Sequence, residues 1–214
     1  MLWRTGVFRL LLGLGALALT LAGAFAVFMA QIPTWGASAD EVARGLPGDE
    51  LAPLPLLNWT NDIDIAAPAD QVWPWVAQLG DTRGGFYSYT FIEDRVGVLT
   101  GASGYAVDYE NAGRLHPEWQ TPQPGAAIIQ GVLKVRAVEP GRYLLADAID
   151  PAAMQWTWLW QLDPAGPDHT RLIVRFRLQR PAAGANPVLT AAMMAGGFVM
   201  QQRMLHGLKL RAEG

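Results

Sequence analysis

The sequence RGGFYSYTFIED, which begins at Arg83, brings together the residue types most able to do chemistry in this chain. Arg83 could bind a carboxylate or phosphate through its planar guanidinium group. Tyr87 and Tyr89 carry hydroxyl groups that need a partner when buried or that could face a ligand. Glu93 and Asp94 are adjacent, so on a helix they diverge by about 100° and do not form a paired acid–base site. The stretch predicts an active-site loop, the mouth of a ligand pocket or a helix that buries its rings.

Other candidate residues also have two interpretations each. Trp156, Trp158 and Trp160 alternate, so they share one face of a strand, either as core or as the lining of a cavity. Trp119 follows Glu118, whose carboxyl group could have a raised pKa against the indole, as a general acid requires, or could lie exposed in a loop. Arg83 could instead have a structural role, as a helix cap or as the ion-pair partner of a nearby acid.

Composition excludes several classes of function. The chain has no cysteine, which rules out disulfides and thiolate chemistry. Its net charge of −3 gives no basic face for nucleic acid. The three histidines, His116, His169 and His206, lack metal-ligand spacing, and no G-x-S-x-G motif occurs. We therefore predict no metal, no cofactor and no nucleic-acid partner, and we find no recognisable catalytic constellation, so enzymatic activity stays uncertain.

The N-terminal segment has the properties of a membrane anchor. Arg4 and Arg9 precede an uncharged run from Leu10 to Ala30, and a helix needs about 20 apolar residues to cross a bilayer. The positive-inside tendency puts the N-terminus in the cytoplasm and the main domain outside. The alternative is a cleaved signal peptide, because residues 24–26 read A-F-A. The length of the run favours the anchor. We predict an anchor at 1–31, a linker at 32–57 and a folded domain at 58–214.

The elements of the folded part follow from periodicity. Ser38 and Glu41 form a capping-box pattern, which predicts a short helix to Gly45 within the linker. A strand near Ile63 and Ile65 should have one solvent-exposed face. Two short helices should follow this strand, one at 68–79 with a kink at Pro74 and one at 86–96. Five further strands are predicted in an antiparallel meander, at 126–130, 132–138, 142–149, 155–163 and 170–179.

The last strand and the last helix are predicted with particular faces. Phe176 and its alternate neighbours should face inward, while Arg171, Arg175 and Arg177 face outward. Asn186-Pro187 begins a helix that runs to about residue 211. The pair Gly196-Gly197 in that helix indicates the close approach of another backbone, or a bend.

Several motifs resemble a known superfamily. LPGDEL, VWPWVAQLGDTRGGFYSYTFIEDRVG, HPEWQTPQPG and FVMQQRMLHGLKLRAEG are similar to stretches of SRPBCC (START-like) proteins, in a bacterial polyketide cyclase/dehydrase-like group with N-terminal hydrophobic segments. The resemblance covers residues 34–214. It implies an α+β helix-grip fold, in which a curved antiparallel sheet of about six or seven strands wraps around the long C-terminal helix.

The same resemblance implies a cavity between the sheet and the C-terminal helix. We therefore predict a membrane-tethered protein that binds a small hydrophobic or amphipathic molecule, lipid or polyketide-like. Two alternatives stay open: a cyclase or hydratase-type enzyme using Tyr and Glu as acid and base, and an envelope structural or assembly factor without a ligand. The predicted ligand-binding residues are Arg83, Tyr87, Tyr89, Glu93, Trp119, Trp156, Trp158, Met194 and Phe198.

Overall fold

The structure is a computed structural model that describes residues 2–92, 111–152, 154–179 and 187–214. It divides into two compact units, Met1–Ile32 and Pro33–Gly214. The first unit contains helix α1 (Leu2–Gln31). The run Arg9–Thr34 has a mean hydropathy of 2.3 and is long and apolar enough to cross a membrane. A signal sequence shares these properties, so length and composition alone do not separate the two.

The second unit is built on an open sheet of six antiparallel strands in the order β1-β6-β5-β4-β3-β2. After a short 3₁₀ turn, Ile32–Thr34, the chain forms helix α2 (Ala39–Ala43), whose capping box between Ser38 and Glu41 is present as predicted. The strands are β1 (Pro55–Ile65), β2 (Ala127–Ile129), β3 (Leu133–Glu139), β4 (Tyr143–Ala148), β5 (Trp156–Gly166) and β6 (His169–Gln179). Further 3₁₀ turns lie at Asp49–Leu51, Asn111–Gly113 and Pro117–Trp119.

Two helices cover one face of this sheet, which we call the inner face. Helix α3 (Ala69–Ala77) continues through Pro74 without ending there, and it buries Val72, Trp73 and Val76. Helix α4 (Pro187–Glu213) is the long C-terminal helix, and it begins at the predicted proline. Its buried side chains Met204, Leu205 and Leu208 join the inner-face residues of the sheet in one core. The predicted α+β architecture with a terminal helix on an antiparallel sheet is confirmed.

The opposite, outer face of β1 and β6 is covered by the segment 33–54, which the sequence predicted to be a linker. A small second core lies there, formed by Leu46, Leu145, Leu159 and Ile173. Arg175, predicted to face outward, does so but is buried. Its guanidinium donates to five acceptors at 2.7–3.1 Å: Thr60 Oγ1, a carboxylate oxygen of Asp49 and the carbonyl oxygens of Glu41, Val42 and Arg44.

Arg171 forms a second attachment between the sheet and this segment. It donates to both carboxylate oxygens of Glu41, at 2.8 and 3.1 Å, and to the carbonyl oxygen of Gly36 at 2.6 Å. The hydrogen bonds from Arg171 lower the pKa of Glu41 to about 2. The predicted wet face of β1 is therefore dry around Asp62, because the segment 33–54 folds over it.

Asp62 is a buried carboxyl group under this covering segment. Burial is the largest cause that raises its pKa, to about 7, and the negative charge of Glu41 adds to the effect, while Arg171 opposes it. A carboxyl group whose pKa is higher in the folded than in the unfolded protein binds its proton more tightly when folded. Its contribution to stability is therefore present at low pH and is lost as pH rises from about 4 to about 7.

The charge state of Asp62 yields a pH-dependent prediction. Asp62→Asn removes the ionisation penalty, so we expect the variant to gain stability over the native chain at pH 8 and to gain much less at pH 5. Urea unfolding of both proteins across this pH range measures the difference. Asp70→Asn, at an exposed position of α3 that forms no ion pair among the described residues, is the control. An equal effect of Asp62→Asn at pH 5 and pH 8 would contradict the raised pKa.

Candidate ligand-binding cavity

A row of aromatic side chains crosses the inner face of the sheet and forms one wall of a cavity. Strand register aligns Trp59 in β1, Phe176 in β6 and Trp158 in β5. The Trp59 and Phe176 rings lie 5.2 Å apart, and Trp156 packs against the same Phe176 ring at 5.5 Å. Phe86 stacks on Trp158 at 5.5 Å. All five aromatic residues line an apolar cavity of about 210 Å³.

Helix α4 forms the facing wall. Gly197, Met200, Gln201 and Met204 line the cavity from this helix. Gly197 is required there, because an added Cβ would lie 2.9 Å from the Trp59 ring. The sequence predicted that another backbone approaches this glycine pair, or that the helix bends there. The group that approaches Gly197 is instead a side chain, the indole ring of Trp59. Leu57, Ser88 and Ile129 complete the lining.

Few polar groups reach this cavity. The Ser88 hydroxyl donates to the carbonyl oxygen of Met200 at 2.8 Å. The Gln201 amide donates to Asn61 Oδ1 at 2.7 Å, so a buried hydrogen bond joins α4 to β1. The indole nitrogens of Trp59, Trp158 and the core residue Trp160 are buried and have no acceptor in the part of the chain that the structure describes.

The stretch that begins at Arg83 does not form the predicted helix at 86–89. Helical conformation appears at 90–92, and the predicted continuation from 93 lies outside the described residues. Tyr87 instead adopts a left-handed backbone conformation, with φ 56°. This conformation is uncommon for a residue with a side chain and must be held by its surroundings. The backbone at Tyr87 packs closely against α4 at Gly207. An added Cβ at Gly207 would lie 2.5 Å from the Tyr87 carbonyl oxygen.

Tyr87 is a core residue in this arrangement. Its hydroxyl donates to the carbonyl oxygen of Trp75 at 3.0 Å, and the Arg211 guanidinium lies 4.5 Å from its ring centroid. Burial raises the pKa of its phenol. The structure therefore gives this hydroxyl a protein partner and does not bring it to the apolar cavity. Its neighbours Phe86 and Ser88, which were not predicted, line the cavity on either side of it in sequence.

Arg83 and Trp119 lie together away from the cavity. Arg83 donates to the carbonyl oxygens of Ala77, at the end of α3, and of Trp119, at 2.7 and 2.8 Å. This is the structural alternative for Arg83, since the side chain caps a helix and joins two loops. Trp119 stacks on His116 at 4.2 Å. Glu118 is exposed, and a hydrogen bond from its own backbone lowers its pKa, which does not suit a general acid.

The other predicted binding residues have varied positions. Trp156 and Trp158 line the cavity, while Trp160 is fully buried in the core beside them. Tyr89 is exposed, and Phe198 packs edge-on against Trp35 at 5.5 Å. Met194 is half-buried but does not line the cavity, and Glu93 lies outside the described residues. Ligand contact by any of these residues stays a prediction.

The described lining of the cavity contains no carboxylate and no imidazole. Within the described ranges there is also no group of three His, Asp or Glu side chains that could hold a metal ion. What the lining offers is apolar surface, aromatic faces and a small number of hydrogen-bonding groups. Such a set binds and orients a molecule.

Comparisons with known proteins find neither a matching family model nor a matching curated protein. One similar solved structure is the di-domain aromatase/cyclase BexL from the BE-7585A biosynthetic pathway, with 14% identity and a TM-score of 0.44. The match covers 74% of this chain and 47% of the BexL chain. DynU16, from the dynemicin biosynthetic locus, is 19% identical with a TM-score of 0.37, and the match covers 73% of this chain and 49% of the DynU16 chain. A START superfamily protein from Mycobacterium smegmatis is 13% identical with a TM-score of 0.40, covering 73% of this chain and 97% of its own. With identities below 20% and TM-scores below 0.5, these likenesses carry no argument about the family or the function of this chain.

The contact between Tyr87 and α4 can be tested with two glycines of the same helix. Gly207→Ala places a methyl group against the Tyr87 backbone, so we expect a loss of about 1–3 kcal/mol in the free energy of unfolding. Gly196 is exposed with no atom within 4 Å of an added Cβ, so Gly196→Ala should stabilise the helix by about 0.5–1 kcal/mol. Chemical unfolding measures both. If both substitutions stabilise, the segment around Tyr87 does not pack on α4 as described.

Proposed function

We propose that residues 33–214 bind a small hydrophobic or amphipathic molecule, lipid or polyketide-like, in the cavity between the sheet and α4. The observation that carries the proposal is the wall of five aromatic rings around a cavity of about 210 Å³. Rings on three neighbouring strands and on the segment after α3 converge there, although a solid core could have been formed by filling the same space. Burial of a ligand's apolar surface would supply about 25 cal/mol per Å².

The volume of the cavity limits what it takes. An engineered cavity of about 150 Å³ holds benzene, whereas pockets for drug-sized ligands measure about 300–1,000 Å³. A cavity of about 210 Å³ therefore suits one ring or one short acyl chain. For a larger lipid or polyketide, the cavity would bind one end of the molecule.

We further propose that α1 tethers this domain to a membrane, with the N-terminus in the cytoplasm and the domain outside. The support is the length and hydropathy of the run Arg9–Thr34, together with the basic residue Arg4 before it. A tether would hold a lipid-binding cavity close to a reservoir of apolar molecules.

The ligand-binding proposal is tested by closing the cavity with a larger side chain. Met200 lines it, so Met200→Trp should fill it and weaken binding of a photoreactive decanol by at least about tenfold, or about 1.4 kcal/mol. The full chain is used in lipid nanodiscs, where every variant experiences the same free probe concentration. Labelling is quantified on peptides from β5 and from 86–88 by mass spectrometry.

Val199→Trp provides a matched control, because Val199 is the preceding residue of α4 and is exposed. It adds the same indole outside the cavity, and we expect it to leave labelling unchanged. Thermal unfolding of both variants confirms that they are folded. Equal labelling of the native chain and the Met200→Trp variant would contradict a ligand site in this cavity.

The tether is tested by topology. A reporter enzyme fused after Gly214 should be active outside the cytoplasm, and the protein should stay with the membrane after carbonate washing. Release into the soluble fraction would indicate cleavage after the apolar run. Activity of a reporter that works only in the cytoplasm would contradict the proposed orientation.

A further inference from the structure

A second cavity adjoins the apolar one and has a different chemical character. Its volume is about 200 Å³. Phe86 and Ser88 line both cavities, so the two share a wall. The second cavity is also lined by Thr90 and by two arginines of α4, Arg203 and Arg211. An apolar compartment therefore lies directly beside a cationic one.

Arg211 is held in a fixed position within the second cavity. Its Nε donates to the carbonyl oxygen of Ala112 at 2.7 Å, and its Nη1 donates to that of Gly207 at 2.9 Å. The guanidinium carbon, Cζ, lies over the Tyr87 ring, 4.5 Å from the ring centroid. Its remaining nitrogen, Nη2, has no acceptor in the described part of the chain. A guanidinium already oriented by two carbonyls and a ring loses little further freedom when it binds an anion.

Arg203 lies eight residues earlier on the same helix and lines the same cavity. Its guanidinium is 5.9 Å from the centroid of the Tyr89 ring, and the side chain is exposed. Residues at i and i+8 on a helix are offset by about 80° around its axis, since two turns take about 7.2 residues. Both arginines nevertheless line this cavity from α4.

No acid of the described ranges neutralises this pair. Elsewhere Arg44, Arg142, Arg171, Arg175 and Arg177 each pair with a carboxylate. Neither Arg203 nor Arg211 forms such a pair among the described residues. The pKa of Arg211 is lowered chiefly by burial and further by the positive charge of Arg203, while the nearby Tyr87 opposes this. Two cations without an anion next to an apolar cavity are the expected lining for an anionic group of a ligand.

We propose that the ligand is an amphipathic anion, whose carboxylate or phosphate group is bound by Arg203 and Arg211 and whose apolar part lies in the aromatic cavity. This inference rests on the proposed function and adds the head-group chemistry to it. Ser88 and Phe86 would lie at the junction of the two parts. The two cavities would then act as one site for a single molecule.

The test compares two competitors that share one tail and differ in head-group charge. Unlabelled decanoate and 1-decanol each compete with the photoreactive decanol for the full chain in nanodiscs at low ionic strength, where the arginine charges are least screened. Arg203→Gln should weaken competition by decanoate about tenfold and leave decanol unchanged. Each competitor is compared between variant and native chain, so its partition into lipid cancels.

Two further variants separate charge from structure. Lys209→Gln removes one positive charge from the same helix outside the second cavity and should change neither competitor. Arg211→Gln should act on decanoate as Arg203→Gln does, but it also removes two hydrogen bonds. Arg203, which is exposed and makes no hydrogen bond within the described ranges, is therefore the decisive position because its substitution leaves the fold intact. Equal weakening of decanoate by Lys209→Gln would mean a general charge effect and would overturn the inference.

The outcomes also separate this inference from the proposed function. If decanol competes and Arg203→Gln leaves decanoate unchanged, the apolar site stands and the anionic head group is wrong. If neither competitor displaces the label, the proposed function fails and the inference fails with it. In a last measurement, acetate is added together with decanol, to ask whether the arginines bind an anion that is separate from the apolar ligand. If acetate strengthens competition by decanol, and if Arg203→Gln abolishes this effect, the two cavities bind two separate ligands. That result would overturn the proposal of a single amphipathic molecule.

Discussion

The structure depends on the two-residue alternation of β1, β5 and β6, because these strands separate two very different environments. Trp59, Phe176 and Trp158 align across the inner face, and Arg175, the residue before Phe176, points to the outer face. A register slip of one residue would exchange these faces. It would bring a guanidinium into the aromatic cavity and leave five acceptors of the outer face without their donor. The many hydrogen bonds of Arg175 and the row of rings thus fix the same register from opposite sides.

The segment around Tyr87 is the second constraint on the cavity. A left-handed tyrosine is unfavourable by itself, yet here its ring, its hydroxyl and its carbonyl all have contacts with α3 or α4. These contacts turn the chain so that Phe86 and Ser88, on each side of Tyr87, reach the cavity. A regular helix would place the three side chains about 100° apart around its axis and would not give this arrangement. Gly207 permits it, since any side chain there would displace the Tyr87 backbone.

Local sequence patterns predicted the parts of the fold that are determined locally. The alternation of β6, the capping box at Ser38 and the proline at the start of α4 are all short-range signals, and the structure contains each of these elements. The helix predicted over 86–89 is wrong because contacts with α4, more than 100 residues later, override the local pattern. The outward arginines were predicted correctly in direction, but the segment that covers them could not be inferred. Nothing in the proline-rich sequence LPGDELAPLPLL shows which surface it packs against.

The site, like the fold, could be predicted only where local sequence patterns determine it. Trp156 and Trp158 could be found because they share a strand, and alternation within one strand is visible in the sequence. Trp59 and Phe176 belong to the same row, but that row exists only once the strands are paired. The register therefore turns single aromatic residues, far apart in sequence, into one wall. The facing wall depends on Gly197, because any side chain there would collide with the Trp59 ring. The lining of the cavity thus follows from contacts between elements, which no pattern within a single element contains.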